Sequence, residues 1–220
     1  MGAPAYATAG DLVIMPEAKV DPRAQRTEDQ ISKVFNPHLI GAAAHFALDA
    51  RVADIVADLI GPDVDVFQSQ FILKNAGAWG QPWRQDSYYF PFDHQPQVGV
   101  WLAISEATLE NGCLSVLPGS HRGPIHDHLP DLRPGANQGY LEVLDQDVSA
   151  AVPMTMAPGD LLVFHSYLLH RSIDYRSTAR RSAMAYHYGR AGTLPLRPLT
   201  GAQRQIHRWI PVRRQPVSVS

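Results

Sequence analysis

The sequence predicts a mainly β protein: a jelly-roll barrel of antiparallel strands (a double-stranded β-helix, cupin-like in form) with helices flanking it on the N-terminal side. Three observations carry this expectation. Two segments of helical periodicity come first, and roughly eight short strand-like stretches with Gly- and Pro-containing turns follow. No internal repeat, low-complexity tract or linker breaks the 220 residues. The chain therefore reads as a single domain over 1–220, with the barrel at 64–190.

In order, residues 1–35 mix Pro and charge with little periodicity. They read as an irregular segment or as an element whose start is missing. From Pro37 to Leu48 and from Asp49 to Ile60 the apolar residues fall at helical spacing; Val52, Ile55, Val56 and Leu59 mark one face. Asp49 is an N-cap and Gly61-Pro62 a stop. Strand texture then runs over Val64–Lys74, Gln81–Phe90 after the turn Gly77–Gly80, and Pro96–Ser105. Asn111-Gly112 has the make-up of a hairpin turn leading into Cys113–Leu117. The polar stretch Gly123–Ser149 is long enough to be a lid or an insertion. Val152–Met156, Leu161–His165, Leu168–Arg171 and Arg181–Tyr188 complete the strands, and the Pro- and Arg-rich tail after Gly189 reads as irregular.

With 45% hydrophobic and 18% charged residues the chain has a folded, soluble composition, and a net charge of −2 gives no general cause to bind nucleic acid. The charge is uneven. Arg171–Ser220 holds ten Arg, no Lys and one acid, whereas the first 170 residues hold nine Lys and Arg against twenty acids. The basic segment either meets an anion or, as the plainer reading has it, pairs with the acidic part of the same chain. Cys113 is the only cysteine, no apolar run reaches membrane-spanning length, and the N-terminus lacks a basic-then-apolar pattern. Cytoplasm, a monomer and a small-molecule substrate, with no nucleic-acid or membrane partner, are the expectations.

Four residues stand out for chemistry. If Gln81–Phe90 is a strand, Arg84 and Asp86 share a face and Gln85 points away. Asp86 is otherwise a solvated strand-end acid or a partner of Arg84. His170 ends an apolar strand pair, Leu161–Ser172, with His165 the competing imidazole. Arg181 comes eleven residues later, far enough to lie on the adjacent antiparallel strand, and a buried Arg there needs an anion. Its plainer role is a salt bridge to an N-terminal acid, with Arg180 at the surface. His121 and His187 read as turn and core residues, and His126 and His128 as solvated loop residues.

The stretches FQSQFILK, GQPWRQDSYYFPF, QVGVWLAISEATLENGCLSVLPGSHRG, PGDLLVFHSYLLHRS and ARRSAMAYHYG, in that order from about Asp65 to Arg190, closely resemble the phytanoyl-CoA dioxygenase family. The resemblance implies a jelly-roll oxygenase that uses Fe(II) and 2-oxoglutarate. The expected reaction is hydroxylation of a small organic substrate, with 2-oxoglutarate decarboxylated to succinate. Family members hold iron on His-x-Asp and a later His. Carried over, Asp86 and His170 match metal ligands and Arg181 the 2-oxoglutarate arginine. Ser172 matches a hydroxyl beside that carboxylate, Trp101 a pocket wall, and Gln68 and Lys74 lie on a strand facing the same pocket. Members usually carry a further helix and strand before the region of Val20, so this chain looks short at its start.

The pattern departs at Arg84, which stands where the family has its first His. A guanidinium has five donors and no lone pair for a metal. Three explanations remain open: iron binding and oxygenase activity are weakened or lost, with Arg84 pairing to Asp86; the pocket serves a metal-free role, as a binding protein or an isomerase; or another residue supplies the nitrogen. His94 is the nearest candidate for that nitrogen, but it lies beyond Phe90-Pro91-Phe92, where the strand should have left the site.

Overall fold

The computed structural model describes residues 6–17, 26–133, 139–174, 177 and 180–215. Strands β1 (Ala7–Ala9), β2 (Leu12–Pro16) and β3 (Ile31–Phe35) precede helices α1 (Gly41–Ala47) and α2 (Ala50–Ile60). β4 (Val64–Lys74) leads through the short α3 (Asp86–Tyr89) to β5 (Val98–Ala103) and β6 (Leu114–Val116). Next come the two-residue strands β7 (Leu129–Pro130) and β8 (Leu141–Glu142), then β9 (Val152–Met154), β10 (Leu161–His165), β11 (His170–Ser172) and β12 (Arg181–Arg190). The chain closes with α4 (Gly201–Ile206) and β13 (Ile210–Arg213).

Two antiparallel sheets build the barrel. The larger runs β1-β2-β3-β4-β12-β5-β10, with β13 also on β4, and the smaller runs β11-β6-β9. The mainly β jelly-roll class stands. β12 shows how one strand serves two layers. Met184, Tyr186 and Tyr188 face outward into a core with Val52, Val56 and Ile60 of α2. Ala183 and Ala185 face inward with Trp101, Phe164 and Leu114. Side chains alternate along a strand, so Arg181 and His187 share the inward parity. The Tyr188 hydroxyl donates to Ala47 O at 3.1 Å, satisfying a carbonyl that the end of α1 leaves without a helical partner. Asp49 caps α2 by accepting from Arg51 N at 2.9 Å, as its position predicts, and Gly61 ends the helix at φ 107°.

Several expectations need correction. Residues 1–35 are not irregular where described: β1–β3 extend the large sheet and bury Val13, Met15 and Phe35. The strands there are only three to five residues long, too short for a periodicity to show. The tail is not irregular either. β13 pairs with β4, and Trp209 stacks on Phe67 with ring centroids 4.8 Å apart. Asn111-Gly112 does not close a hairpin, because β5 lies in the large sheet and β6 in the small one. The same is true of β10 and β11, so Leu161–Ser172 crosses between sheets, and β11 and β12 are not neighbours.

The largest correction is at Gln81–Phe90, which is not a strand. Arg84 makes a single antiparallel bridge to His170, with N–H···O distances of 3.0 and 3.1 Å. The chain then turns into α3, where Ser87 N donates to Ser166 O at 3.1 Å. The aromatic content of Tyr88-Tyr89-Phe90 suggested a strand, but tertiary contacts decide such short segments. Gln85 still points away from Arg84 and Asp86, because its buried amide donates to Pro124 O and Tyr167 O at 2.9 and 2.8 Å. Just upstream, a Cβ on Gly80 would lie 2.2 Å from Ser172 O, so only glycine lets this segment run against β11.

Candidate functional site

Both sheets line a cavity of about 290 Å³, a small-ligand size. Asp86, His170, Arg181, Ser172, Trp101, Gln68 and Lys74, the residues singled out in the sequence, all lie on its wall. Arg84 lies there too, as do Lys33, Glu17, Tyr140 and His187. His94 is not among the lining residues, and its Nδ1 sits 2.9 Å from Asp93.

One end of the cavity is built on regular strands. Arg181 of β12 pairs across the sheet with Lys74 of β4. The Arg181 guanidinium lies 5.3 Å from the Trp101 ring, although Trp101 pairs with Ala185 four residues further along β12. The side chain is therefore laid along the inner wall toward the opposite end. Ser172 of β11 accepts from Lys74 Nζ at 3.2 Å and from Gln81 N at 2.9 Å. Those bonds occupy both lone pairs of the hydroxyl, which leaves its hydrogen to donate to a ligand. Burial, reinforced by Arg181, holds the Lys74 ammonium well below the usual lysine range.

At the other end, Asp86 sits between two imidazoles. Its Oδ1 is 3.5 Å from His170 Nε2, and its Oδ2 is 3.6 Å from His187 Nδ1. His170 Nδ1 lies 2.9 Å from Leu168 O, an atom that can only accept. Nδ1 therefore carries the hydrogen, and Nε2 turns its lone pair toward the carboxylate. Burial and the nearby Arg84 push His170 down to about 4, so it is neutral near pH 7. Burial alone would raise the Asp86 carboxyl, but His170, His187, Arg84 and Lys33 more than reverse that, and it stays ionised. Its Oδ2 is buried without a hydrogen-bond partner.

Arg84 does not pair with Asp86 as one explanation supposed. Its Nη1 donates to Pro82 O at 3.2 Å, and the residues within ion-pair reach of Asp86 are the two histidines. Lys33 Nζ donates to Gln81 Oε1 at 3.1 Å and lies 5.2 Å over the Tyr140 ring. Burial and Arg84 lower Lys33 to about 7.

Other expectations divide. Arg180 is not a free surface residue: it pairs with Asp29 and donates from Nε to Asn75 Oδ1 at 2.7 Å. The N-terminal salt bridge considered for Arg181 thus belongs to its neighbour. Arg208, Arg213 and Arg214 pair with Asp11, Asp54 and Asp65, as the plainer reading of the basic tail has it. His128 is not a solvated loop residue. It is buried, accepts from Gln85 N at 2.9 Å and stacks on Tyr88. Part of the supposed lid, 134–138, lies outside the described residues. Sequence reasoning missed His187 and Lys33 as site residues. His187 was within reach, since it shares the parity of Arg181 on β12. Lys33 was not, because it stands in the segment that showed no periodicity.

An iron ion is held in such barrels by one carboxylate and two imidazoles on a common face. Asp86 and His170 have the right chemistry, with the His170 Nε2 lone pair turned toward Asp86 Oδ1 at 3.5 Å. Position 84 offers a cation instead. His187 does not repair the set, because it approaches the opposite carboxylate oxygen, and no three His, Cys, Asp or Glu among the described residues converge to hold a metal. The residues do not fit a three-ligand iron site. The strand-built end, by contrast, fits the distal carboxylate of a 2-oxo acid.

A jelly roll with a buried guanidinium at one end of its cavity and a carboxylate–imidazole pair at the other has the architecture of the 2-oxo-acid-dependent oxygenases. The family model described as "Phytanoyl-CoA dioxygenase (PhyH)" matches residues 8–183. The chain belongs to that family, one of iron- and 2-oxoglutarate-dependent oxygenases. It is similar to the peroxisomal phytanoyl-CoA dioxygenase of Mus musculus, with 37% identity over 188 residues that cover 81% of this chain and 55% of that one. Among solved structures it resembles the apo form of the non-heme monooxygenase ThoJ, at TM-score 0.68 and 24% identity, over 83% of this chain and 65% of that one. It also resembles EctD from S. alaskensis, solved with 2-oxoglutarate and 5-hydroxyectoine, at TM-score 0.61 and 25% identity, over 77% and 63%. The chain spans about half the length of the curated relatives it matches.

Proposed function

We propose that this chain is a 2-oxoglutarate-binding protein of the oxygenase family in which the iron site is weakened or lost. Arg181, Lys74 and the Ser172 hydroxyl take the distal carboxylate, with the Trp101 ring and Gln68 as walls. The observation that carries the reading is Arg84 on the cavity wall where the family places its first metal-binding His. Two donors hold a metal far less tightly than three, and the Arg84 charge repels a divalent ion directly. The family's reaction, in which O2 and 2-oxoglutarate hydroxylate a C–H bond and yield succinate and CO2, is the ancestral chemistry of this pocket. The oxygenase reading keeps one observation in its favour, the His170 Nε2 lone pair turned toward Asp86 Oδ1. No helix of the described residues is long and apolar enough to cross a membrane. With the lone thiol Cys113 buried and free, we assign the protein to the cytoplasm, as a monomer acting on a small molecule without nucleic-acid or membrane partners.

Anaerobic titration of Fe(II) in the presence of 2-oxoglutarate tests this. The unmodified chain should show no metal-to-ligand absorption band and make no succinate once O2 is admitted, and Arg84→His should bring back the band and, with O2, succinate formation. A strong band and succinate from the unmodified chain would overturn the reading.

A further inference from the structure

The cavity gathers four basic side chains against two acids. Arg84 and Arg181 match Glu17 and Asp86, while burial and the neighbouring guanidiniums hold Lys33 and Lys74 below the ordinary lysine range, so an entering anion stabilises their charged forms. The histidines on the wall, His170, His187 and His207, are all pushed toward the neutral form by burial, so they do not alter that count near pH 7. Buried like charges at this density are costly unless an anion joins them. The cations are also unevenly placed. Arg181 and Lys74 belong to the strand-built end, while Arg84 and Lys33 belong to the Asp86 end and feel each other's charge.

The second pair has donors to spare. Of the five N–H groups of Arg84, the contacts among described residues use one, to Pro82 O. Lys33 gives one of its three to Gln81. The two pairs face one cavity and act on each other: Lys33 feels the charge of Arg181, and Lys74 that of Arg84.

We propose that Arg84, with Lys33, forms a second carboxylate subsite, so that the cavity binds short dicarboxylates with no metal. One carboxylate lies on Arg181, Lys74 and Ser172; the other lies on Arg84 and Lys33, where a fixed guanidinium does the charge-balancing that a metal does elsewhere in the family. The inference rests on the reading of the Arg181 end given above and extends it to the ligand class. The 2-oxo group, whose use is chelation, is dispensable, and the requirement is two anionic ends on a short chain.

Calorimetry of the full chain in excess chelator tests it, with 2-oxoglutarate, succinate and the monocarboxylate butyrate as probes. Both dicarboxylates should bind with similar affinity and butyrate should not. Arg84→Gln should weaken both dicarboxylates about tenfold or more, the loss expected for one charge-assisted contact, and Arg84→Lys should recover part of it. The circular dichroism spectrum and melting temperature of each variant separate lost binding from lost folding. Binding of 2-oxoglutarate only after a divalent metal is added would overturn the second subsite while leaving the Arg181 end intact. So would an Arg84→Gln variant that binds as before. If no dicarboxylate binds with or without metal, the reading of the Arg181 end falls as well.

Discussion

The two ends of the cavity differ in how the chain builds them. At the Arg181 end each side chain is fixed by sheet register: Arg181 opposite Lys74, Trp101 opposite Ala185, Ser172 two residues along β11 from His170. At the Arg84 end the groups come from a single bridge, a four-residue helix, the inward end of β12 and the early strand β3. An anion anchor set by register keeps its geometry when neighbouring residues change. A metal site assembled from separate segments is open to disablement by a single substitution, and in the function proposed above position 84 carries that change. On that reading the register-built end defines what the pocket can hold.

The largest effect should come from the register-built end. Arg181→Gln removes a buried bidentate donor, and dicarboxylate affinity should fall about a hundredfold, measured by calorimetry in chelator. Arg84→Gln should cost less, since Lys33 remains beside it. Equal losses from the two variants would mean that the ends contribute alike, and the contrast drawn above would fail.

The same contrast separates what the sequence made legible from what it hid. β4 and β12 were readable from their own alternation, and once their parity is known Arg181, Lys74 and Gln68 fall into the barrel without further information. The segment holding Arg84 and Asp86 was not readable in this way. Its aromatic residues match a strand, yet the backbone is held by Ser166 O and by the Gln85 amide, contacts from residues some eighty positions away or buried in a loop. The expected pairing of β11 and β12 fails for the same physical reason. A short turn between strands suggests neighbours, whereas the two sheets of a jelly roll trade consecutive strands across the cavity. Lys33 was invisible because a five-residue strand carries too little pattern, and its place in the site comes from β3 pairing with β4.

Asp86 gives the next test, and its value lies in the sign. In a barrel that binds its co-substrate through a metal, Asp86→Asn removes a ligand and weakens 2-oxoglutarate binding. In the metal-free pocket proposed here, Asp86 repels the second carboxylate from beside Arg84 and Lys33. Asp86→Asn should therefore tighten dicarboxylate binding, by about three- to tenfold for one partly screened charge. Weaker binding in this variant would restore the metal as the organising charge at this end.

The smallest expected effect is pH dependence, and it also belongs to the Arg84 end. Lys33 faces Arg84 and Arg181, which disfavour its charge, and Asp86 and Glu17, which favour it; burial decides, and it titrates at about 7 in the ligand-free protein. Below that value Lys33 is charged and contributes to the second subsite; above it the ammonium is lost. Dicarboxylate affinity should therefore fall a few-fold as pH rises through about 7. Near that pH, binding should take up protons, seen as a dependence of calorimetric heat on buffer ionisation enthalpy. Stability of the free protein must move the opposite way. The folded value lies below that of an unfolded lysine, so the unfolded chain binds the extra proton across the interval between them, and folding becomes more favourable as pH rises through it. The melting temperature of free protein should climb above neutrality while the shift produced by succinate shrinks, and Lys33→Met should flatten both. A succinate-induced shift that holds constant across that range would remove Lys33 from the subsite and leave Arg84 to carry it alone.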